Sequence, residues 1–472
     1  MKIGSVIRIR KTAFSVLSFL VGVWGGLLLV PSAAGGASVE PSLRMGTFRV
    51  DASPPIGSPL AYDPCKEITI PLSCRGLVLL PGDRPPIVLC VVDWIGVAND
   101  GQKEFRRALA DAVGTQPKRV AVHAVHQHDA PRCDLSADRL LAKYGINKQF
   151  YDAPFLRSVM ERAARAAGQA AKNAQPVTHV GIGQGKVEKV ASNRRILGPD
   201  GKVQYTRWTA CRDPKIRAMP VGTIDPFLKM VSFWNGQRPL AVLTYYACHP
   251  QSYYRTGGAN PDFPGIARNM REKATGVMHI HFDGAGGNIG AGKWNDGSHE
   301  NRQVLADRVA AGMALAWEAT RKEPLCADEV RWTALPVALP VAEHLDEPTL
   351  VAKLEDSEAS ATARHSAATH LLWLRRRQKG ETIDVSCLRL GRVRILHMPG
   401  ELFVEYQLAA QKMRPDLFVA MAAYGEYAMG YIGTRIAYEQ GGYETSPRAS
   451  LVAPDVEDVL MTALRRLLKS DR

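Results

Sequence analysis

The chain has 472 residues, of which 46% are hydrophobic and 22% are charged, a balance close to that of soluble globular proteins. It excludes a disordered chain, a fibrous protein and a membrane protein with many spans. The formal net charge of +14 is spread along the chain, apart from a short basic cluster at residues 375–379. A basic protein of this kind favours anionic surfaces, but no zinc-knuckle spacing or aromatic RNA-binding motif is present, so no nucleic-acid partner is expected.

The amino terminus has the features of an export signal. Four basic residues lie in the first eleven positions, an apolar run follows at residues 13–30, and small residues occupy positions 31–37. This order predicts a secretory signal peptide over residues 1–37. The apolar run is also long enough to span a bilayer, so an uncleaved anchor is the alternative. In both cases the rest of the chain is predicted to be exported: periplasmic, extracellular or anchored outside the cytoplasm.

Apolar, β-branched runs predict six buried strands in chain order. They lie at residues 87–92, 120–125, 240–246, 277–282, 393–396 and 418–423. Apolar residues with helical spacing predict helices at residues 154–174, 304–317 and 456–468. Strands that alternate with helices along the chain predict an α/β or mixed α+β fold, in which helices flank a mixed β-sheet core. We expect a single domain over residues 38–472, with the charged helical stretch near 348–380 as an insertion or cap.

The first candidate site directly follows the second of these strands. His126 and His128 are two positions apart, and on an extended chain such residues point the same way. Two imidazoles presented together suit a divalent metal such as zinc. Taken alone, however, an HxH pair is more often a chance pair or two core histidines, so the motif leaves both interpretations open.

Polar residues also follow four further apolar runs. These segments are residues 248–250 (CHP), 283–290 (DGAGGNIG), 397–401 (HMPGE) and the tyrosine-rich stretch 424–431. In open α/β sheets ligands gather beyond the strand ends, where loops are carried on a rigid frame. Five such loops on one chain favour a shared site.

The glycine-rich loop at residues 283–290 has two interpretations. Its backbone N–H groups can cradle a phosphate, but neither GxxxxGK[ST] nor GxGxxG is present. The other interpretation is a close approach of backbone to substrate at Gly286 and Gly287, where no side chain intervenes.

Together, these motifs resemble the neutral/alkaline, non-lysosomal ceramidases, which are exported zinc amidases that cleave the N-acyl bond of ceramide. The opening segment, residues 45–55 (MGTFRVDASPP), looks like the start of that family. Residues 125–131 (VHQHDAP) are similar to its Thr-His-Thr-His-Ser-Gly-Pro motif, and residues 247–250 (ACHP) match the place of its second zinc histidine. Residues 399–403 (PGELF) look like its Pro-Gly-Glu-Phe, and residues 430–434 (GYIGT) resemble its Tyr-Ile-Thr-Thr.

The resemblance implies specific roles for these residues. It implies zinc ligation by His126, His249, Glu401 and Tyr431, with His128 in a catalytic or supporting place beside the metal. It also implies a hydrolase of amide or ester bonds, a place in sphingolipid metabolism, and a small-molecule or lipid N-acyl substrate, with peripheral contact to a membrane as a further expectation.

The chain departs from the family in two respects. The family loop Gly-Asp-Val-Ser-Pro-Asn, which carries the reactive serine, corresponds to residues 284–288 (GAGGN), where Asn288 is kept and the serine is missing. The resemblance runs from about Gly46 to about Ser450 and leaves no room for the family's carboxy-terminal sandwich domain. We therefore expect the catalytic domain alone.

A mechanism without that serine follows from zinc chemistry. Zinc lowers the pKa of its bound water to about 7, and the resulting hydroxide attacks a carbonyl. His128 is then the expected general acid/base, Asp283 or Asp129 steadies an imidazole, and N–H groups between Gly286 and Asn288 stabilise the oxyanion.

Two further residues are candidate contacts to substrate. Asp262 lies in a turn before a helix that starts near Ile266, where a helix cap is an equal interpretation. Arg194 lies between predicted elements and is suited to an anionic or carbonyl group. Single polar residues of this kind more often have no catalytic role.

Two other functions stay open beside a zinc hydrolase. One is an exported metal-binding protein that has lost catalysis along with the serine. The other is a metallohydrolase of phosphate or sugar esters, which phosphate binding by the glycine-rich loop would favour.

Overall fold

The structure, a computed structural model, describes residues 42–469. The predicted leader at residues 1–37 lies outside these described residues. Within the described part of the chain, no helix combines the length and the apolarity that a membrane crossing requires.

The described strands form three large sheets and five two-stranded ribbons. In spatial order, the first sheet contains Val120–Ala124, Ile87–Val92, Ser73–Pro81, Leu43–Asp51 and Gln175–Pro176. The second contains Met278–Asp283, Arg238–Tyr246, Phe227–Asn235, His179–Lys186 and Arg321–Pro324. The third contains Val330–Val337, Ile383–Leu390, Val393–His397 and Phe418–Ala422.

The ribbons join loops between the large sheets. They pair Ser192–Asn193 with Ile289–Gly290, Arg195–Leu197 with Val203–Thr206, Gly258–Ala259 with Glu67–Ile68, Glu401–Leu402 with Tyr431–Ile432, and Gly96–Ala98 with Arg132–Asp134. The described α-helices, in chain order, are α1 (Asn99–Val113), α2 (Leu135–Ala142), α3 (Ala153–Lys172), α4 (Pro214–Ala218), α5 (Asp262–Thr275), α6 (His299–Glu318), α7 (Glu347–Glu355), α8 (Ala361–Gln378), α9 (Val404–Met413), α10 (Arg435–Gln440) and α11 (Val456–Leu468).

The three large sheets share one connection pattern. In each, antiparallel strands are followed by a helical crossover and then by a strand parallel to the last one. The crossover helices of the first, second and third sheets are α1, α5 and α9. A parallel pair needs such a crossover because its strands must start at the same end of the sheet. Each sheet therefore has one parallel pair whose carboxyl ends open into loops.

The strand Ile87–Val92 explains why the predicted strands are apolar at every position. Ile87, Leu89 and Val91 lie in a central core that all three sheets share, whereas Val88 and Cys90 belong to the core beneath α1 and α3. Side chains alternate between the two faces of a strand, so a strand covered on both sides has no polar position. All six predicted strands are present in the structure, within two residues of their predicted bounds.

Helices cover the outer face of each sheet. The first sheet packs against α1 and α3, the second against α5 and α6, and the third against α9 and α11. The predicted helices at residues 154–174, 304–317 and 456–468 correspond to α3, α6 and α11. This arrangement confirms the predicted fold class, a mixed β-sheet core flanked by helices. Helices α7 and α8 occupy the stretch near 348–380; its origin as an insertion, and the single-domain organisation, stay predictions.

Helix α5 begins earlier than the sequence suggested. We expected it to start near Ile266, after Pro264 and Gly265, but its first residue is Asp262. Proline is tolerated in the first turn of a helix, because the N–H that it lacks has no intrahelical partner there. Pro264 therefore lies inside the helix instead of marking its boundary.

The carboxyl ends of the three parallel pairs meet. Met278–Asp283 contacts Ile87–Val92 and Val120–Ala124, and Arg238–Tyr246 contacts Phe418–Ala422. The N–H of Ala124 donates to the carbonyl of Tyr424 over 3.0 Å, which joins the first sheet to the third. The loops that carry the predicted site residues therefore start from a common region.

Candidate metal centre and cleft

A cleft of about 640 Å³ opens over the converging strand ends. His126, His128, Glu401, Tyr427 and Tyr431 line its inner end. At the other end it reaches one side of α8, through residues that include Thr362, His365 and Thr369. Its volume is within the range that holds a small-molecule ligand.

Three imidazoles converge at the inner end. Nε2 of His249 lies 3.2 Å from Nε2 of His126 and 3.0 Å from Nε2 of His128. Oε2 of Glu401 lies 3.3 Å from Nε2 of His126. All four side chains are buried. We call these four residues the floor; the ligand atoms of its three histidines lie within 4.8 Å of one another, a spacing suited to one metal ion.

Backbone carbonyls determine which nitrogen of His126 and of His249 carries the proton. Nδ1 of His126 lies 2.5 Å from the carbonyl oxygen of Ile95, and His249 donates to the carbonyl of Gly286. Because a carbonyl only accepts, the proton of each ring is on the nitrogen that faces it, and Nε2 keeps its lone pair. Both lone pairs point into the floor, as a histidine ligand of a metal requires.

His128 has the opposite tautomer. Its Nδ1 lies 3.2 Å from Nε2 of Gln251, while Oε1 of the same amide accepts a hydrogen bond from Thr209 over 2.6 Å. Nε2 of His128 also lies 3.0 Å from Nε2 of His249, which keeps its lone pair, so the proton of this contact is on His128 and Nδ1 of His128 accepts from Gln251. A neutral His128 therefore carries its proton on Nε2, directed toward His249. Burial lowers the pKa of His128 and of His249 well below the ordinary value, with His126 and Arg194 adding to the effect, so both rings are neutral.

The donor set of the floor fits a divalent cation. Nε2 of His126, Nε2 of His249 and Oε2 of Glu401 are acceptors at close range, and Oε2 has no hydrogen-bond donor among residues 42–469. Buried acceptors that face one another repel unless a positive charge lies between them. Two imidazole nitrogens and a carboxylate oxygen are ligands that zinc and similar ions accept.

Tyrosines hold the floor residues in place. The hydroxyl of Tyr427 donates to Oε1 of Glu401 over 2.6 Å, and the ring of Tyr424 stacks on His126 with a centroid distance of 4.6 Å. Burial by itself raises the pKa of Glu401, but the net shift is below its ordinary value, and the hydrogen bonds from Tyr427 and Tyr431 contribute to it. Glu401 is therefore a carboxylate.

A two-stranded ribbon brings Tyr431 to Glu401. The parallel register pairs Glu401 with Tyr431 directly, and the Tyr431 ring lies parallel to His249 at 6.3 Å. Nη1 of Arg194 donates to the Tyr431 hydroxyl over 3.1 Å. Arg194 is buried and its charge is matched by Glu444, 3.3 Å away. The two predicted residues Tyr431 and Arg194 thus lie beside the floor and contact each other.

The backbone is strained at two residues of this region. His126 has φ 73° and Tyr424 has φ 59°, although neither is glycine, and each follows the end of a parallel strand. Such conformations cost about 1–3 kcal/mol each and persist where the surrounding structure enforces them. Here the N–H of His126 donates to the carbonyl of Trp94 and that of Tyr424 to the carbonyl of Gly400. The orientation of these two rings therefore costs some of the free energy of folding.

The glycine-rich loop lies behind Glu401, outside the cleft lining. The N–H groups of Gly284, Ala285 and Gly287 bond within the protein, to Tyr246, Gln407 and Leu402. A Cβ on Gly287 would lie 2.2 Å from the carbonyl oxygen of Glu401, so glycine is required for this packing. The predicted substrate contacts of Gly286 and Gly287 stay predictions.

Asn288 and Asp283 have structural contacts in the same loop. Oδ1 of Asn288 accepts from the N–H of Val404 over 2.9 Å and its Nδ2 donates to Glu405, which anchors the start of α9 just after Glu401. Asp283 is buried, and burial together with the charge of Glu401 raises its pKa well above the ordinary value. Neither contacts an imidazole of the floor in the part of the chain that the structure describes, and their predicted catalytic roles stay predictions.

Asp262 and Asp129 hold the loop that follows His249. Oδ2 of Asp262 accepts from the N–H of Ser252 over 3.0 Å, and Asp129 accepts from the N–H of Arg255 and the hydroxyl of Thr256. Asp262 is buried and is not part of the cleft lining. A substrate contact for Asp262 therefore stays a prediction.

Several residues of the site carry no recognisable mark in the sequence. Tyr62 contacts Nδ1 of His128 through its hydroxyl at 3.0 Å, from a loop more than sixty positions away. Gln251 lies two positions after His249, the same spacing as that between His126 and His128. Tyr427 lies in the tyrosine-rich stretch, but no motif in the sequence separates it from the other tyrosines there.

Comparison with known proteins gives structural neighbours only. No protein-family model and no curated protein matches the chain. A solved structure described as a ceramidase complexed with C2 matches with a TM-score of 0.64 and 16% identity, covering 92% of this chain and 77% of that one. The neutral ceramidase from Pseudomonas aeruginosa matches with a TM-score of 0.62 and 17% identity, covering 91% of this chain and 76% of that one. The chain therefore has a neutral-ceramidase-like fold.

Proposed function

We propose that this chain is a zinc-dependent hydrolase of amide bonds in N-acyl compounds, with esters as the secondary substrate class. The observation that carries the proposal is the floor itself. Lone pairs of His126 and His249 and the carboxylate of Glu401 converge, and His128 directs an N–H toward the same place. The fold shared with ceramidases supports the choice of an N-acyl substrate.

In this proposal His126, His249 and Glu401 hold the zinc ion, and Tyr431, at the edge of the floor, completes its surroundings. Zinc bound there supplies a Lewis acid that polarises a carbonyl and acidifies water. The hydrogen bond from the Tyr427 hydroxyl orients the Glu401 carboxylate, as hydrogen bonds to metal ligands generally do.

His128 is the proposed proton donor. When water adds to the amide carbonyl and the C–N bond breaks, the departing nitrogen takes the Nε2 proton of His128, and a proton from the water restores the ring. Gln251 and Tyr62 hold Nδ1 of His128, which keeps Nε2 aimed at the floor. This sequence needs no serine, in agreement with the segment 284–288 (GAGGN).

The test is a metal analysis of the purified chain followed by hydrolysis assays on matched amide and ester substrates. We expect about one zinc per chain, and hydrolysis that stops on chelation and returns with added zinc. His126→Ala is expected to lose both metal and activity, because it removes a ligand. His344→Ala, an exposed histidine outside the cleft, is the matched control and is expected to keep both.

Three results would contradict the proposal. Full metal content in His126→Ala or in Glu401→Ala would reject the ligand set. Hydrolysis that survives complete chelation would reject the metal dependence. Stoichiometric metal without turnover on any N-acyl substrate would instead indicate a binding protein.

We also propose that the chain is exported. The support is the order of basic, apolar and small residues over positions 1–37. Amino-terminal sequencing of the protein recovered outside the cytoplasm tests it: a start near residue 38 is expected, whereas retention of the whole chain in the cytoplasm would contradict it.

A further inference from the structure

We propose that the cleft selects N-acyl substrates that carry an anionic oxygen group, such as a carboxylate or a sulfonate, near the scissile bond. This inference rests on the proposed function, because it names the substrate class of the same cleft. It comes from a second set of side chains, on the cleft wall, that the metal chemistry does not use.

The cleft wall contains cations without anionic partners. Arg132, Arg255, Arg448 and Lys148 all line the cleft, and within residues 42–469 none of them forms an ion pair with a carboxylate. We call the three arginines the arginine wall. Guanidinium groups match the geometry of carboxylates and related anions with two parallel N–H donors.

Three buried arginines elsewhere in the molecule show how the chain matches such a charge with a carboxylate. Arg268 pairs with Asp93 at 2.7 Å, Arg376 with Glu426 at 2.6 Å, and Arg194, next to the cleft, with Glu444 at 3.3 Å. Each of these is buried, and a buried charge is costly unless it is matched. Arg255 and Arg448 are exposed and Arg132 is half-buried, so their charges are stable without a carboxylate partner.

Few carboxylates in the lining oppose these charges. Besides Glu401 of the floor, the lining contains Asp134 and Asp63. Asp134 accepts hydrogen bonds from the N-terminus of α2, and burial raises its pKa to about 7. With Asp134 only partly ionised at neutral pH, the carboxylates beside the wall, Asp63 and Asp134, are outnumbered by the four cations, which gives the wall a positive potential that attracts anions.

Tyr62 places the wall next to the reacting groups. The guanidinium of Arg255 lies 5.0 Å from the centroid of the Tyr62 ring and that of Arg132 lies 5.5 Å from it. The hydroxyl of the same ring contacts Nδ1 of His128. An anionic group held by Arg132 and Arg255 therefore lies one aromatic ring away from the proposed proton donor, close to the scissile amide.

Arg132 and Arg448 differ in how much structure depends on them. Arg132 donates to the carbonyl of Ala61 through Nε and Nη2, so its replacement also removes packing. Arg448 is exposed and no hydrogen bond or ion pair involves it among residues 42–469. Arg448→Gln is accordingly the variant that removes charge without a structural contact.

The experiment compares two substrates that differ only in charge, N-lauroylglycine and N-lauroylglycinamide, on the zinc-loaded full chain. Binding is measured by calorimetry and hydrolysis by release of the amine, and N-lauroyltaurine replaces the carboxylate with a sulfonate as a third ligand. We expect the two anionic compounds to bind at least about tenfold more tightly than the neutral amide, a size typical of charge-assisted hydrogen bonds. Arg448→Gln is expected to reduce that preference several-fold, through a higher KM for the anionic substrate.

Arg107→Gln, an exposed arginine of α1 outside the cleft, is the matched control and is expected to leave the preference unchanged. Equal affinity for the charged and the neutral compound would overturn the inference, even if both are hydrolysed. Tight, charge-dependent binding without any hydrolysis would support the wall and contradict the proposed function. A preference for N-lauroylglycine alone would assign the wall to carboxylates, and a shared preference would assign it to anionic oxygen groups in general.

Discussion

The floor and the arginine wall lie in the same cleft but differ in charge: the floor presents acceptors that suit a cation, and the wall presents cations that suit an anion. At the floor, the buried acceptors of His126, His249 and Glu401 converge around one N–H donor, whereas the wall arginines form no ion pair with a carboxylate among residues 42–469. The first arrangement suits a cation and is buried, and tyrosines contact both His126 and Glu401. The second is open to water and awaits a ligand. The difference separates the proposed metal ligands from the proposed substrate contacts.

The largest expected effect comes from removing the charge of the floor. Glu401→Gln keeps the size of the side chain but replaces a charged ligand, so we expect zinc affinity to fall at least about a hundredfold and hydrolysis to fall with it. Binding of N-lauroylglycine to the wall is expected to change little. Competitive chelator titration and calorimetry measure the two quantities, and a parallel loss of both would show that floor and wall are not separate.

The next effect concerns Asp134, whose raised pKa reduces the negative charge beside the arginine wall. Asp134 has a pKa of about 7 in the folded chain, against about 4 when unfolded. Between these pH values the folded chain keeps a proton that the unfolded chain has lost, so this residue lowers the free energy of unfolding as pH rises. Over pH 4 to 8 the fall is roughly 2–4 kcal/mol relative to Asp134→Asn, which does not titrate.

Urea unfolding of both proteins at the two pH values measures this difference. Only the pH dependence is compared, because the asparagine also changes the contact with Asn99. Parallel pH profiles for the two proteins would mean that Asp134 is ionised in the fold and that the wall carries a second opposing charge.

A smaller effect is expected at Tyr62, the residue that touches both regions. Tyr62→Phe keeps the ring between the wall arginines and removes the hydroxyl from Nδ1 of His128. We expect kcat to fall about tenfold while KM for N-lauroylglycine and zinc content stay unchanged. A change confined to KM would place Tyr62 with the wall alone.

The smallest effect is that of salt. The wall is partly exposed, so raising ionic strength from about 0.05 M to about 0.5 M is expected to weaken binding of the anionic ligand a few-fold through screening. The buried floor is expected to keep its zinc under the same conditions. Calorimetry and metal analysis after dialysis check the two results, and equal affinity at both salt concentrations would contradict a wall that acts through charge.

Most of the fold was predictable because strand patterns are local. A run such as residues 87–92, apolar at every position, is compatible with a strand that is covered on both faces, and the structure shows that coverage. The start of α5 was predicted wrongly, because Pro264 and Gly265 suggested a turn where the helix had already begun. Local pattern does not distinguish a proline in the first turn from one before it.

The candidate site was only partly predictable. His126, His249 and Glu401 were identified through family motifs, and the structure brings them together. The arrangement of Tyr62, Gln251 and the arginine wall around them had no sequence pattern, because these residues are isolated polar positions in separate loops. Asn288 and Gly287 resemble catalytic residues in sequence. In the structure, Asn288 accepts a hydrogen bond from the Val404 N–H and Gly287 packs against the backbone of Glu401.

The sequence by itself determined the buried strands, the helices that flank them and the presence of ligand-type residues just after the strand ends, because each of these depends on residues only a few positions apart. The tertiary structure decided which loops meet, which nitrogen of His128 carries the proton, and which cleft arginines have no carboxylate partner within the described part of the chain. Those properties depend on distances of a few ångströms between residues separated by up to about three hundred positions, and only the packing of three sheets around one core sets such distances.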